Sequence, residues 1–361
     1  MIADIAEKVH SGQRLSVEDG LRLFRHPNLA ELGMLASHAR RRKHPERVVT
    51  YVVGRNVNYT NVCWVRCKFC AFYRPPGSGE GYVLPKEKIF EKIQELVDVG
   101  GPRPKSCELL MQGGLNPRLK LDYYEDLLRS IRERFPSIHV HSLSATEIVY
   151  IAHISRLSLE ECIRRLRDAG LDSIPGAGAE ILSDEVRQII GFRKDTVSEW
   201  LDVHRAAHRL GMRSSATMMY GHVETVEQRM EHLRRIRDLQ DETGGFTAFI
   251  AWSFQPTDTE LAQEWNGPKA TGFDHLRTVA VARLFLDNVD NLQASWVTQG
   301  PRIAQVSLHY GVNDFGSTMM EENVVSAAGT KHCMPLGEIQ RLIRDVGCEP
   351  VRRNTRYEPL N

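Results

Sequence analysis

From Val48 onward, short apolar and β-branched runs alternate with longer stretches of helical period, and this rhythm limits the available folds more than any other feature. The runs predicted as strands are VVTYVVG in the 49–55 region, CELLMQ (107–112), IHVHSL (138–143), DSIPG (172–176), RSSATMMYG (213–221), TAFIAW (247–252), LQASW (292–296) and VNDFG (312–316). Between and after them, helical periodicity covers 86–99, 121–134, 158–169, 196–210, 224–242, 272–287, 301–310 and 335–346. Strands alternating with helices imply βαβ units and a parallel sheet. About eight such units predict an α/β fold of the TIM type, a (β/α) barrel complete or nearly so. Right-handed crossovers then place the helices outside. A length of 361 residues would allow two domains at ~150 residues each. No linker interrupts the rhythm, so we expect one barrel over 48–334. Residues 1–47 read as an N-terminal helical extension, opened in part by the capping-box pattern Ser16-Val17-Glu18-Asp19. Residues 335–361 read as a last helix and a short tail.

The unusual residues fall just after the predicted strands: NYTNVCWVRCKFC, QGGLNP, HSLSATE, PGAGAE, YGHVET, WSFQP, SWVTQGP and NDFGSTMMEEN. In a TIM barrel those loops share one face, where active sites are built. Charge excludes some other roles. Lys and Arg number 47 against 46 Asp and Glu, a net charge of +1, which argues against a protein that coats nucleic acid or anionic membrane. No run of ~18 apolar residues suggests a membrane span, and the N-terminus lacks a signal-peptide core. A cytoplasmic compartment is expected.

The seven cysteines are an odd number, which with this length and compartment excludes a disulfide scaffold. Three of them, Cys63, Cys67 and Cys70, fall within eight residues. Thiolates suit zinc, copper(I) or iron–sulfur clusters. Structural zinc normally takes four protein ligands, so a zinc reading needs a distant fourth such as Cys107. A [4Fe–4S] cluster on three cysteines leaves one iron open, which makes catalysis possible. Incidental buried cysteines are the third alternative.

The C-x3-C-x2-C spacing after the first strand, with Phe69 between the last two cysteines, resembles the radical S-adenosylmethionine (SAM) superfamily. Longer strings narrow the resemblance. NYTNVCWVRCKFCAFYRPPG, MQGGLNPRLKLDYYEDLL, DSIPGAGAEIL, ATMMYGHVET, QDETGGFTAFIAWSFQP, QASWVTQGP and NDFGSTMMEENVVSAAG are similar to the dehypoxanthine futalosine cyclase family of menaquinone biosynthesis. Aminofutalosine synthase and the deazaflavin (F420 precursor) synthases share much of this framework. One departure is Ala177, where a glycine is expected.

The resemblance implies a [4Fe–4S] cluster on Cys63, Cys67 and Cys70, with SAM chelating the open iron. It places Phe69, Gln112, Gly113, Gly114, Glu180, Met219, Gly221 and Glu224 at the cofactor. It implies that a 5′-deoxyadenosyl radical removes hydrogen from C4′ of the substrate ribose and that the carbon radical closes onto the attached benzoate ring. A low-potential electron donor such as flavodoxin or ferredoxin is implied as partner, with no nucleic acid and no membrane. Candidate substrate partners are His141, Ser144, Gln255, Gln299 and Asp314, with Glu147 and Thr298 beside them. Candidates for the proton acceptor are His222, Asp314 and Glu321. Trp252 and Trp296 are candidate cavity walls, and Arg55 and Arg302 are candidate carboxylate partners. The non-catalytic alternative is an iron–sulfur or zinc-binding protein. A nucleic-acid-modifying radical enzyme is disfavoured by the near-zero charge.

Overall fold

Among the described residues (2–101, 103–265, 267–330 and 332–360 of a computed structural model), nine strands carry the fold. They are β1 (Val48–Val57), β2 (Cys107–Met111), β3 (Ile138–Ser142), β4 (Ser173–Ile174), β5 (Arg213–Tyr220), β6 (Phe246–Ser253), β7 (Asn291–Gln293), β8 (Asp314–Ser317) and β9 (Glu349–Arg352). Their order in the sheet is β2-β3-β4-β5-β6-β7-β8-β1-β9, and β1 also pairs with β2, so the first eight close into a parallel barrel.

The helices are α1 (Ala3–Ser11), α2 (Val17–Arg25), α3 (Leu29–Lys43), α4 (Lys86–Gly100), α5 (Leu121–Arg134), α6 (Ala145–Ser155), α7 (Leu159–Ala169), α8 (Asp184–Gly191), α9 (Val197–Arg209), α10 (Val226–Thr243), α11 (Glu260–Glu264), α12 (Gly272–Phe285), α13 (Trp296–Ser307) and α14 (Leu336–Asp345). Capping boxes start several of them, at Ser16, Ser144, Thr196, Thr225 and Thr271. Each satisfies orphan N–H groups and fixes where the loop ends and the helix begins. The α1–α3 extension packs on the barrel's outer helices, α3 mainly against α12 and α2 against α10.

Four features depart from the predicted pattern. The tail holds β9, which pairs with the lower half of β1 (Val48–Tyr51) while β2 takes Val53–Val57. Its sequence, EPVR, has no strand alternation, so the pairing with β1 creates it. Helix α6 is apolar on nearly every side and buried, which hides its 3.6-residue period. The short helices α8 and α11 add turns over the cysteine loop. Finally, β7 ends at Gln293, and α13 takes over from Trp296, broken at Gly300 and Pro301.

Candidate active site

The loop after β1 is stitched to three other parts of the barrel's upper face. Cys63 N donates to Arg74 O (2.9 Å) and Trp64 N to Leu115 O (3.2 Å). Lys68 N donates to Ile190 O at the end of α8, and Leu261 N of α11 to Lys68 O, both at 2.8 Å. The result is a cavity of about 170 Å³ whose lining includes all three cysteines, Gly113, Gly114, Ser144, Glu147, Glu180 and Lys194. Burial pushes the Cys70 thiol up to about 11, and it also raises Cys67. Cys63 further disfavours the charged forms of Cys67 and Cys70, and Cys70 that of Cys67, so these thiolates form comfortably only beside a cation. Among the described residues no three His, Cys, Asp or Glu side chains converge on a single ion position. Three thiols around one cavity are the donor set that an iron–sulfur cluster would use. The zinc reading with Cys107 fails on position. Cys107 begins β2, and its Sγ lies 3.9 Å from Leu96 O and Gly101 O, at the opposite end of that strand.

Gln112, Gly113 and Gly114 follow β2 and face this cavity. Neither glycine has positive φ. What requires them is close approach: a Cβ at Gly114 would lie 2.4 Å from Val62 O, and one at Gly113 would lie 2.7 Å from the Tyr59 ring. Buried Glu147 on α6 fixes the turn. It accepts from Gly113 N (3.0 Å), Tyr59 Oη (2.7 Å), Ser144 N (2.7 Å) and Ser144 Oγ (2.6 Å), so one carboxylate joins three strand-end loops. Ser144, a candidate substrate partner, is thereby occupied as the N-cap of α6.

Glu180 sits at positive φ after β4, buried, with Lys194 Nζ 2.9 Å away. Burial favours its neutral form, but Lys194 outweighs that and holds the carboxylate below its ordinary range. Lys194 is a residue that sequence reasoning missed. It lies 14 positions from Glu180, outside any motif, and also donates to Thr146 Oγ1 (3.0 Å). Ala177 is not among the positive-φ residues, so its methyl causes no backbone strain. Gly178, at φ 88°, needs glycine for its backbone conformation, and Gly176 needs it for close approach, since a Cβ there would lie 2.6 Å from Ala216 Cα.

The β5 motif serves the frame. Met219 is buried, and its N–H donates to Glu180 O (2.9 Å). Glu224 accepts from Gly221 N (2.6 Å), His222 N (2.9 Å) and Arg229 Nε (2.7 Å). His222 lies with Nδ1 3.2 Å from Glu224 and Nε2 3.1 Å from Met219 O, and burial lowers its proton affinity. It lines neither cavity.

A second cavity of about 300 Å³ adjoins the first, and the two share Gln112, Ala177, Gly178, Glu180 and Val324. Its lining is largely apolar, with Trp252, Trp296, Ile250, Met319 and Phe69 among the walls. Polar groups around it include Asn56, Thr217, Thr298 and Glu322. Asn56, Thr217 and Glu322 were missed from the sequence. Glu322 follows Glu321 in the MEEN string, and only the fold selects between them.

Five expected site residues lie elsewhere. His141 shares Ser173 Oγ with His139 (2.7 and 2.8 Å) in the lower barrel, among strand beginnings. Asp314, at the start of β8, is locked by Arg353 (2.5 and 2.9 Å), Thr50 Oγ1 (2.6 Å) and Gly316 N (2.9 Å). Glu321 is held by Arg55 Nη2 (2.9 Å) and Lys92 Nζ (2.6 Å), which also removes Arg55 as a free carboxylate partner. Gln255 and Gln299 both donate to Ser253 Oγ (3.0 and 2.5 Å), tying β6 to α13 just outside the cavity lining. For all but Gln255, whose partner Ser253 is two positions away, a partner distant in sequence has taken the polar group.

Comparisons with known proteins agree with this geometry. Residues 57–236 match the radical SAM superfamily, and residues 243–361 match the CofH/MqnC C-terminal region. The chain is 51% identical to a cyclic dehypoxanthine futalosine synthase of Halalkalibacterium halodurans, over 99% of this chain and 94% of that one. It is 41% identical to an aminodeoxyfutalosine synthase of Thermus thermophilus, over 99% and 95%. In fold it is similar to the FeFe-hydrogenase maturase HydG from Carboxydothermus hydrogenoformans. That match has a TM-score of 0.76 at 16% identity, covering 99% of this chain and 80% of that one.

Proposed function

Because this chain belongs to the radical SAM superfamily and carries the CofH/MqnC C-terminal region, we propose that it is the cyclase that converts dehypoxanthine futalosine to cyclic dehypoxanthine futalosine on the futalosine route to menaquinone. The observation that carries this reading is the pair of adjoining cavities, one lined by three cysteines and the other walled by tryptophans, meeting at Gln112, Ala177, Gly178 and Glu180. Cys63, Cys67 and Cys70 would hold a [4Fe–4S] cluster, which when bound would supply the electron for reductive cleavage of SAM.

The chain's own residues do the rest by positioning. The Gly113–Gly114 backbone, fixed by Glu147, lets a ligand approach closely beside the thiols. Glu180, kept ionised by Lys194, is suited to accept hydrogen bonds from ribose hydroxyls at the junction of the two cavities. Trp252, Trp296, Ile250 and Met319 exclude water from the larger cavity, where a carbon radical must survive until it meets the benzoate ring. Holding C4′ against both the radical source and the ring is an orientation problem, and rigid strand ends suit it. Among the described residues no Lys or Arg lines this larger cavity, so the substrate's hydroxyls and carboxylate would meet neutral groups such as Asn56, Thr217 and Thr298. A low-potential one-electron donor of the flavodoxin or ferredoxin kind completes the reaction.

The test is to incubate anaerobically reconstituted, reduced enzyme with SAM and dehypoxanthine futalosine. Cyclised product and 5′-deoxyadenosine in equal amounts are expected. Turnover of another acceptor without the cyclised product would instead assign an aminofutalosine or deazaflavin synthase.

A further inference from the structure

Two carboxylates line the larger cavity, and they differ in their partners. Glu180 is bound to Lys194. Glu322 has no cationic partner among the described residues. It is held only by backbone: Oε1 accepts from Val324 N (2.8 Å) and Val325 N (3.1 Å), and Oε2 from Ser326 N (2.9 Å). A carboxylate offers about four lone-pair sites, so roughly one remains, on Oε2. Its loop is anchored to β1, through Thr318 N to Val52 O (3.0 Å), Met320 N to Gly54 O (3.2 Å) and Asn323 Nδ2 to Asn58 Oδ1 (3.3 Å). That anchoring fixes Glu322 against the cavity. Buried Asn56 lines the same cavity with its Oδ1 unpartnered, an acceptor that a bound ligand would satisfy. Burial also raises the proton affinity of Glu322 despite its three N–H donors.

We propose that Glu322 is the group that takes the ring proton when the cyclised substrate regains aromaticity; this rests on the cyclase reading above. Attack of the ribose radical forms a carbon–carbon bond to a ring carbon that still bears hydrogen, which leaves a delocalised ring radical. The C–H bond at that carbon then breaks, and its proton passes to Glu322 Oε2. Of the two electrons in that bond, one completes the aromatic sextet. The other leaves to a one-electron oxidant of the iron–sulfur or flavin class. The carboxylic acid returns its proton to water before the next turnover. His222, Asp314 and Glu321 are each engaged elsewhere, whereas Glu322 faces the space the ring would occupy.

The test is single-turnover chemistry on the reconstituted holoenzyme, with Glu322→Gln, Glu322→Asp and a ring-deuterated substrate. For Glu322→Gln we expect 5′-deoxyadenosine to form within about threefold of the wild-type rate, because that step precedes proton loss. Cyclised product should fall by roughly 10²–10⁴-fold, the usual share of a general base. A substrate-radical signal should accumulate in electron paramagnetic resonance, with a primary isotope effect from the ring deuterium, and Glu322→Asp should restore part of the product. Parallel loss of both products would mean that Glu322 only shapes its loop, and unchanged product formation would mean that another group takes the proton. Either result overturns the proposal. Wild-type enzyme that forms 5′-deoxyadenosine but no cyclised product would instead overturn the cyclase reading itself.

Discussion

The two ends of the barrel both bury charge, and they spend it differently. At the lower end Asp314 is saturated: Arg353 grips both oxygens, and Thr50 and Gly316 fill the remaining sites. Arg353 also lies 3.6 Å from the centre of the Tyr357 ring. With its hydrogen-bonding capacity used up, Asp314 can only hold the barrel shut. At the upper end Glu147 is filled in the same way, but other groups keep spare capacity. The three thiols line one cavity, Asn56 Oδ1 has no partner, and Glu322 is left with backbone donors alone. The contrast follows the general division of this architecture, in which the strand beginnings stabilise and the strand ends react.

The largest effect should come from breaking the upper end at its thiols. Cys67→Ala should reduce the iron and sulfide bound on reconstitution to background and abolish SAM cleavage, with an unchanged far-ultraviolet circular dichroism spectrum. A retained, SAM-responsive cluster would break the assignment. At the lower end, Arg353→Met strands a buried carboxylate and should cost about 3–5 kcal/mol in denaturant unfolding. The fraction that remains folded should still show the SAM-induced change in the cluster spectrum. Loss of that change would mean that the two ends are coupled.

A smaller effect belongs to Gly114→Ala. Its methyl would meet Val62 O at 2.4 Å, a backbone clash that a side-chain rotation cannot relieve. Overpacking of about 1–3 kcal/mol should appear as a roughly 10–100-fold rise in KM for SAM, with much less change in Tm. The smallest concerns pH. Burial holds His139 down to about 3, while an unfolded histidine titrates near 6.5. The unfolded chain therefore binds the extra proton first as pH falls. The stability contributed by neutral His139 is complete above about 6.5 and is lost on acidification toward the folded value. Its slope is at most about 1.4 kcal/mol per pH unit. His139→Gln should flatten Tm against pH between about 6.5 and 5, and an unchanged slope would assign the acid sensitivity to other buried histidines.

The barrel strands, most of the long helices and the cysteine loop were legible because each is written locally. A period of two or of 3.6 residues, a capping box and a fixed thiol spacing need no knowledge of distant partners. Helix α6 was illegible because burial on nearly all sides erased its period, and β9 because only its partner strand makes it extended. The site was legible in its loops but less so in its side chains. Glu180, Gln112, Gly113, Gly114 and Phe69 line the cavities, as do the candidate walls Trp252 and Trp296, while His141, His222, Gln255, Gln299, Asp314, Glu321 and the expected cofactor residues Met219, Gly221 and Glu224 do not.

What the sequence determined by itself was therefore the repeating unit, its number, the face on which the chemistry gathers, and the soft-ligand triplet. The tertiary structure alone decided which polar groups remain free to act. A carboxylate's availability depends on whether a cation arrives from elsewhere. Arg353 reaches Asp314 from 39 positions away, and Arg55 reaches Glu321 from 266. Such pairings arise from barrel closure and from the side to which each backbone segment turns its side chains, neither of which has a local signature in the chain.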